Sequence, residues 1–200
     1  MSVEAVKALV NEKGIKFVDV KFTDLFGQWQ HFSLPIEAFD PESAFDVNEG
    51  FGFDGSSIRG FQSIEASDMI LVLDPSTAVL DPICEAPTLS LIGDVYEPRS
   101  RKPYSRDPRY IARKAVDYLR STGIADTIYV GPEAEFFIFD DVRFDFNQHE
   151  GYYHLDSIEG EWNRGKAEGP NLGYKLRYKE GYFPVPPSDQ FMNIRNEMMQ

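Results

Sequence analysis

The sequence predicts a mixed α+β chain organised as two units, and three observations predict it. Short runs rich in β-branched and aromatic residues recur between residues 15 and 96, broken by Asp- and Pro-containing turns. A stretch with prolines, charges and no periodicity follows, Glu97–Arg106. Beyond it comes a helical pattern with both ends marked, and then an apolar run carrying two carboxylates.

Residues 1–14 read as an opening helix, because Val3, Val6, Leu9 and Val10 recur at helical spacing. Ile15–Phe22 alternates and reads as a strand, Thr23–Gly27 as a turn, and Trp29–Leu34 as the returning arm of a hairpin. Residues 35–50 are acidic and loop-like, with room for one short helical turn. Met69–Leu73 and Leu89–Tyr96 read as further strands, completing a small mixed sheet. In the second unit Asp107 is placed to cap a helix, Pro108 lies in its first turn and Gly123 follows its last. Ile111, Ala115, Val116 and Leu119 form the apolar face expected of that helix. Residues 140–181 read as long loops with room for a hairpin, and Ser188 or Asp189 as the cap of a last helix through Ile194, Arg195 and Met198. That helix reaches Gln200 with neither glycine stop nor cap, so a truncated sequence is expected.

Bulk properties exclude several function classes. Two hundred residues with 42% hydrophobic and 14% aromatic content describe a globular chain with an ample core. The net charge is −13, and it is uneven: residues 1–100 carry 6 basic and 17 acidic residues, residues 101–200 carry 14 and 16. With no basic stripe, nucleic-acid binding is not expected; an acidic half suits cations or a positively charged partner. Cys84 is the single cysteine, has no basic neighbour, and reads as an inert thiol in a chain of the reducing cytoplasm. No apolar stretch approaches membrane-spanning length, and residues 1–14 carry too many charges for a signal peptide.

The run Ile128-Tyr-Val-Gly-Pro-Glu-Ala-Glu-Phe-Phe-Ile-Phe139 reads as a buried strand. Side chains alternate across a strand, so Glu133 and Glu135 would share a face with Cα atoms about 7 Å apart. Ionised carboxylates among apolar flanks need protonation, pairing or a metal, and two parallel oxygen donors suit two hard divalent cations, one each. The same pair is also what the wet face of an edge strand, or its entry loop after Pro132, would carry. Phe53-Asp-Gly-Ser-Ser57 is turn chemistry: aspartate accepts backbone donors and glycine tolerates positive φ. Taken alone it equally describes a plain surface turn.

Read together, these segments resemble one family. Phe53-Asp-Gly-Ser-Ser57 followed by Glu65-Ala-Ser-Asp68-Met-Ile-Leu resembles the amino-terminal signature of glutamine synthetases. Gly131-Pro-Glu-Ala-Glu-Phe-Phe-Ile-Phe139 resembles that family's first metal-binding strand, and Ser105-Arg-Asp-Pro-Arg109 and Gly181-Tyr-Phe-Pro-Val-Pro-Pro187 are similar to it as well. The resemblance runs from Phe17-Val-Asp-Val-Lys-Phe-Thr-Asp24 to Met199, and residues 141–175 resemble the extra segment of the bacterial type I subgroup.

The resemblance implies an opening helix over residues 1–14, a β-grasp domain over 15–99 and the first part of a catalytic domain over 106–200. It implies ATP-dependent ligation of ammonia to L-glutamate through γ-glutamyl phosphate, with ATP as substrate, two Mg2+ or Mn2+ ions, and a homo-oligomer, a dodecamer of two stacked hexameric rings. By position Glu135 resembles a ligand of the ion near glutamate, and Glu133 one of the ion on the nucleotide phosphates. Asp54 matches the aspartate that binds and deprotonates ammonium, reaching into a neighbouring subunit's site. Tyr182 matches a tyrosine lining the ammonium pocket, and Ser57 shares the loop of Asp54. The ATP signature, the remaining metal ligands and the substrate arginines of the family would fall beyond Gln200. His31, His149 and His154 are not at the family's metal-histidine position and read as surface or hydrogen-bonding residues.

Two other readings stand beside the enzyme. One is a non-catalytic relative used for assembly or binding, which has no need of Asp54, Glu133 and Glu135 together. The other is a ligase joining glutamate to a different amine, against which Asp54 and Tyr182 at the ammonium positions argue.

Overall fold

The computed structural model describes residues 1–163 and 174–199, which fall into two compact units, Met1–Val130 and Gly131–Gln200.

The first unit is a five-stranded sheet with a helix against its apolar face. Helix α1 (Val3–Lys13) begins where the Ser2 hydroxyl accepts the Ala5 N–H at 3.2 Å, and it stops at Gly14 in the left-handed region, φ 59°. Strands β1 (Phe17–Thr23), β2 (Trp29–Pro35), β3 (Phe51–Asp54), β4 (Asp68–Leu80) and β5 (Thr88–Tyr96) assemble in the order β2-β1-β5-β4-β3. The β1–β5 pair is parallel and the others antiparallel. Between β1 and β2, Asp24 Oδ1 accepts the N–H groups of Phe26 and Gln28, each at 2.9 Å, which closes the expected turn.

Alternation then divides the sheet. Val18, Val20 and Phe22 of β1 and Leu89, Leu91 and Val95 of β5 enter one core with Val6 of α1 and with Met69, Leu71 and Leu73 of β4. Gly93 sits in this row because nothing larger fits: a Cβ there would lie 2.6 Å from Leu71 Cγ. Asp19, Ser90 and Asp94 alternate onto the other face, where Asp19 accepts the Ser33 hydroxyl at 2.6 Å and contacts His31 Nδ1 at 2.7 Å.

Two strands differ from the sequence reading. Strand β3 was not expected, since four residues including Gly52 carry no usable period-two pattern; it pairs along β4, Phe51 opposite Leu71 and Asp54 opposite Asp68. Strand β4 runs past Leu73 through an irregularity between Asp74 and Val79. Pro75 has no N–H for the ladder, and the Thr77 hydroxyl accepts the Ile92 N–H at 2.8 Å. Residues 35–50 hold a 3-10 turn, Ile36–Ala38, and the short helix α2 (Pro41–Ala44).

Helix α3 (Pro108–Thr122) has the expected ends, Asp107 accepting the Arg109 N–H at 2.9 Å and Gly123 left-handed at φ 69°. Its apolar face is not buried: Ile111 and Ala115 are exposed, and Val116 and Leu119 only half-buried. The helix is tied instead to the polar face of the sheet. Arg109 reaches Asp74 at 2.7 Å and Asp94 at 2.9 Å, and Arg113 reaches Asp94 at 2.5 Å. Partly buried carboxylates bridged by guanidinium forks make a far better tie than isolated surface pairs.

In the second unit, β6 (Asp141–Phe146) and β7 (Gly151–Asp156) form an antiparallel hairpin, and α4 (Met192–Met198) is the last described helix. Residues 164–173 of the segment likened to the bacterial type I subgroup lie outside the described residues. Helix α4 is not capped by Ser188 or Asp189. It starts after Phe191 with no side-chain cap at that residue; one Asp189 oxygen accepts the Phe191 N–H at 3.2 Å and the other pairs with Arg195. Residues 128–139 form no strand. A strand exists by pairing its N–H and C=O groups, and among the described residues this run belongs to neither sheet. Most of its side chains stay in solvent, Tyr129 being 95% and Phe137 85% exposed, while Ile138 and Phe139 are half-buried.

Candidate functional site

Asp54 ends β3 and caps the 3-10 turn Gly55–Ser57. The Ser56 hydroxyl and N–H donate to Oδ1 at 2.6 and 2.8 Å, and the Ser57 hydroxyl donates to Oδ2 at 2.9 Å. These donors, the Ser56 hydroxyl foremost, hold the Asp54 carboxyl below the usual carboxylate range. Both Asp54 and Ser57 remain exposed, so the structure builds a caged anion and presents it to solvent. The turn itself is anchored. The Gly55 N–H donates to Ser67 O at 2.6 Å, and a Cβ on Gly55 would lie 2.6 Å from Met69 Cγ.

The other candidates lie in the second unit. A cavity of about 940 Å³ is lined by Glu135, Phe137, Phe139, Trp162, Tyr182, Phe183, Asp189 and Arg195, among others. Glu135 and Tyr182 thus reach one cavity, whereas Glu133 is not among its lining residues. The Phe137 and Phe139 rings stack with centroids 5.8 Å apart, and Tyr182 packs edge-on against Phe183 at 4.5 Å. Sequence reasoning missed the Arg195–Asp189 pair in this wall. The Arg195 hydrogen bond holds the Asp189 carboxyl low, and Asp189 in turn raises the guanidinium. The signal that could have found it is a carboxylate just before a helix with an arginine one turn inside.

Metal chemistry can be tested on these residues. Hard divalent cations take about six or more oxygen ligands. Among the described residues no three His, Cys, Asp or Glu side chains converge as a metal shell. Glu135 offers the right donor type at a cavity wall, but the described residues do not by themselves make a metal site. Cys84 is exposed and unpaired to another cysteine, and among the described residues no helix is long and apolar enough to cross a membrane.

A small mixed sheet with a caged edge carboxylate and helices, followed by a second unit with a hairpin and a helix, defines a two-part α+β protein. Residues 14–98 match the family described as glutamine synthetase, beta-Grasp domain, and residues 105–200 match glutamine synthetase, catalytic domain. The chain belongs to the glutamine synthetase family, and the expected α+β fold with a leading β-grasp domain stands. It is 55% identical over 196 residues to the glutamine synthetase of Microchaete diplosiphon and 54% identical over 195 residues to that of Mycobacterium tuberculosis. It covers 98% and 96% of itself in those comparisons, and about 41% and 40% of the relatives' length. Among solved structures, a Plasmodium falciparum glutamine synthetase matches 99% of the chain and 39% of its own length, with a TM-score of 0.79 at 24% identity, a likeness of fold.

Proposed function

We propose that this chain works as part of an ATP-dependent glutamate–ammonia ligase. The observation that carries the reading is the Asp54 cage, set on the β-grasp domain of a chain whose family match spans both domains. In the proposed reaction the glutamate γ-carboxylate takes the terminal phosphoryl group of ATP. The ammonia nitrogen then attacks the acyl carbon, and phosphate leaves as the amide forms.

Asp54 is the residue this chain brings to the ammonium. A carboxylate held ionised well below neutral pH attracts and orients the cation. The same three donors make it a weaker proton acceptor, so electrostatic capture is its larger contribution and proton removal the smaller. Ser57 holds one oxygen of that carboxylate, and Tyr182 lines the cation's pocket. Glu133 and Glu135 supply two of the ligands for two divalent ions, Mg2+ or Mn2+, which would neutralise charge on the transferring phosphoryl group. In this reading residues 1–14 are a leading helix, 15–99 the β-grasp domain and 106–200 catalytic-domain chain. The assembly is a cytoplasmic dodecamer in which Asp54 serves a neighbouring subunit.

The test mixes two disabled subunits. Asp54→Asn subunits lose ammonium capture and Glu135→Gln subunits lose a metal ligand, so each assembled alone is inactive. Mixed oligomers contain interfaces that join an intact Asp54 to an intact Glu135, and activity partly returns. No recovery in oligomers of confirmed mixed composition overturns the shared site.

A further inference from the structure

Tyr104 and Arg106 flank Ser105 in the linker, and neither has a role in the reading above. Both reach across to the segment that follows the Asp54 turn. Arg106 donates through one guanidinium nitrogen to Gly60 O at 3.0 Å and to Phe61 O at 3.1 Å. The Tyr104 hydroxyl donates to the same Phe61 carbonyl. The Phe61 side chain is fully buried, with its ring 5.3 Å from that of Tyr104. From Phe61 the bonding continues back to the carboxylate. The Phe61 N–H donates to Ile58 O at 3.0 Å, and the Ile58 N–H to Gly55 O at 3.2 Å, directly beside Asp54.

Two features mark this as more than incidental packing. Arg106 is exposed, yet its guanidinium is directed at the carbonyls of two successive residues, a recognition of backbone position. Burial raises the Tyr104 phenol, so it remains a donor throughout the physiological range. At its start the Asp54 turn is tied by the Gly55 N–H to Ser67 O, so the Gly60 and Phe61 carbonyls are where its far end is held. Asp54 and Ser57 face solvent, and Gly60 is in the left-handed region at φ 81°, where the chain reverses.

We propose that Arg106 and Tyr104 are positioning residues that fix the loop carrying Asp54 by clamping the Gly60 and Phe61 carbonyls. The proposal rests on the reading of Asp54 as the ammonium carboxylate. Without the clamp the loop samples other placements, and a carboxylate that is sometimes misplaced binds the cation more weakly. The effect falls on ammonium alone, because neither residue is required to contact glutamate or ATP.

The experiment uses the assembled enzyme carrying Tyr104→Phe, Arg106→Gln, both together, Arg106→Lys, and Asp54→Asn as the reference. Amide exchange is followed at Gly55, Ile58 and Phe61, and KM is measured separately for ammonium, glutamate and ATP. Each lost hydrogen bond is expected to speed exchange at Ile58 and Phe61 by about two- to tenfold. The double variant is expected to raise the ammonium KM by a similar factor and leave the other two KM values within about twofold. Arg106→Lys recovers part of the loss, since an ammonium can reach one carbonyl but not bridge two. Unchanged exchange overturns the proposal. So does faster exchange with an unchanged ammonium KM, provided that Asp54→Asn raises it. If Asp54→Asn itself leaves the ammonium KM untouched, the reading of Asp54 fails, and exchange alone then decides whether the clamp exists.

Discussion

Replacing Asp107 by alanine removes two hydrogen bonds that differ in kind. Asp107 is 1% exposed; its Oδ1 accepts the Arg109 N–H at the start of α3, and its Oδ2 accepts the Val95 N–H in β5, both at 2.9 Å. Loss of a helix cap costs about 0.5–2 kcal/mol. Leaving the Val95 amide buried without an acceptor costs about 1–3 kcal/mol. Relief of a desolvated charge offsets part of this, so the net loss is about 2–3 kcal/mol.

Amide exchange across β5 and α3, with denaturant titration of the same chain, measures it. The Val95 amide exchanges faster than its neighbours in the variant. A loss below about 1 kcal/mol, or Val95 protection equal to wild type, refutes the argument. The pH dependence is a second check. Burial, the largest cause, raises the Asp107 carboxyl above its ordinary value. A raised folded-state pKa means that its ionisation adds no penalty below the unfolded value and erodes stability as pH rises through the folded one. Measured against Asp107→Asn, which does not titrate, wild type therefore has its largest advantage at acid pH and loses some of it toward neutrality. A flat or rising difference contradicts a buried, reluctant charge.

Other expectations are simpler to check. The chain of residues 1–200 alone makes no glutamine from glutamate, ammonia and ATP in a coupled assay, because two carboxylates cannot complete two metal shells. In the assembled enzyme, Asp54→Asn retains glutamate and ATP binding by calorimetry while ammonium affinity and turnover fall; equal loss of all three ligands counts against its role. Glu135→Gln weakens one divalent ion far more than the other in a metal titration, and equal weakening argues against separate ligand duties for Glu133 and Glu135. Gly93→Ala places a methyl 2.6 Å from Leu71 Cγ and lowers denaturant stability of the chain. The cost expected for such overpacking is about 1–3 kcal/mol.

Local signals carried much of the first unit. The Asp107 cap, the glycine stop at 123, and the alternation of β1 are written in adjacent residues, and the structure realises each; the Ser2 cap and the left-handed Gly14 that bound the opening helix came only with the structure. Asp54 as a turn aspartate was legible for the same reason, since its donors are the next two serines. The caging that depresses it, however, needed the geometry of all three donors at once.

What tertiary structure decided is whatever depends on a distant partner. Strand β3 exists because β4 offers it a ladder, and the run 128–139 stays unpaired because no described strand does, although its pattern is the more strand-like of the two. Asp189 looked like a cap; it accepts the Phe191 N–H one residue before the helix and is also the partner of Arg195. The apolar face of α3 was easy to see, but the arginines that tie it down answer to Asp74 and Asp94 on strands many residues earlier. Periodicity and capping report on a residue's own turn or strand; pairing, burial and the placement of a charge depend on which remote segment arrives beside it, and only the folded chain supplies that.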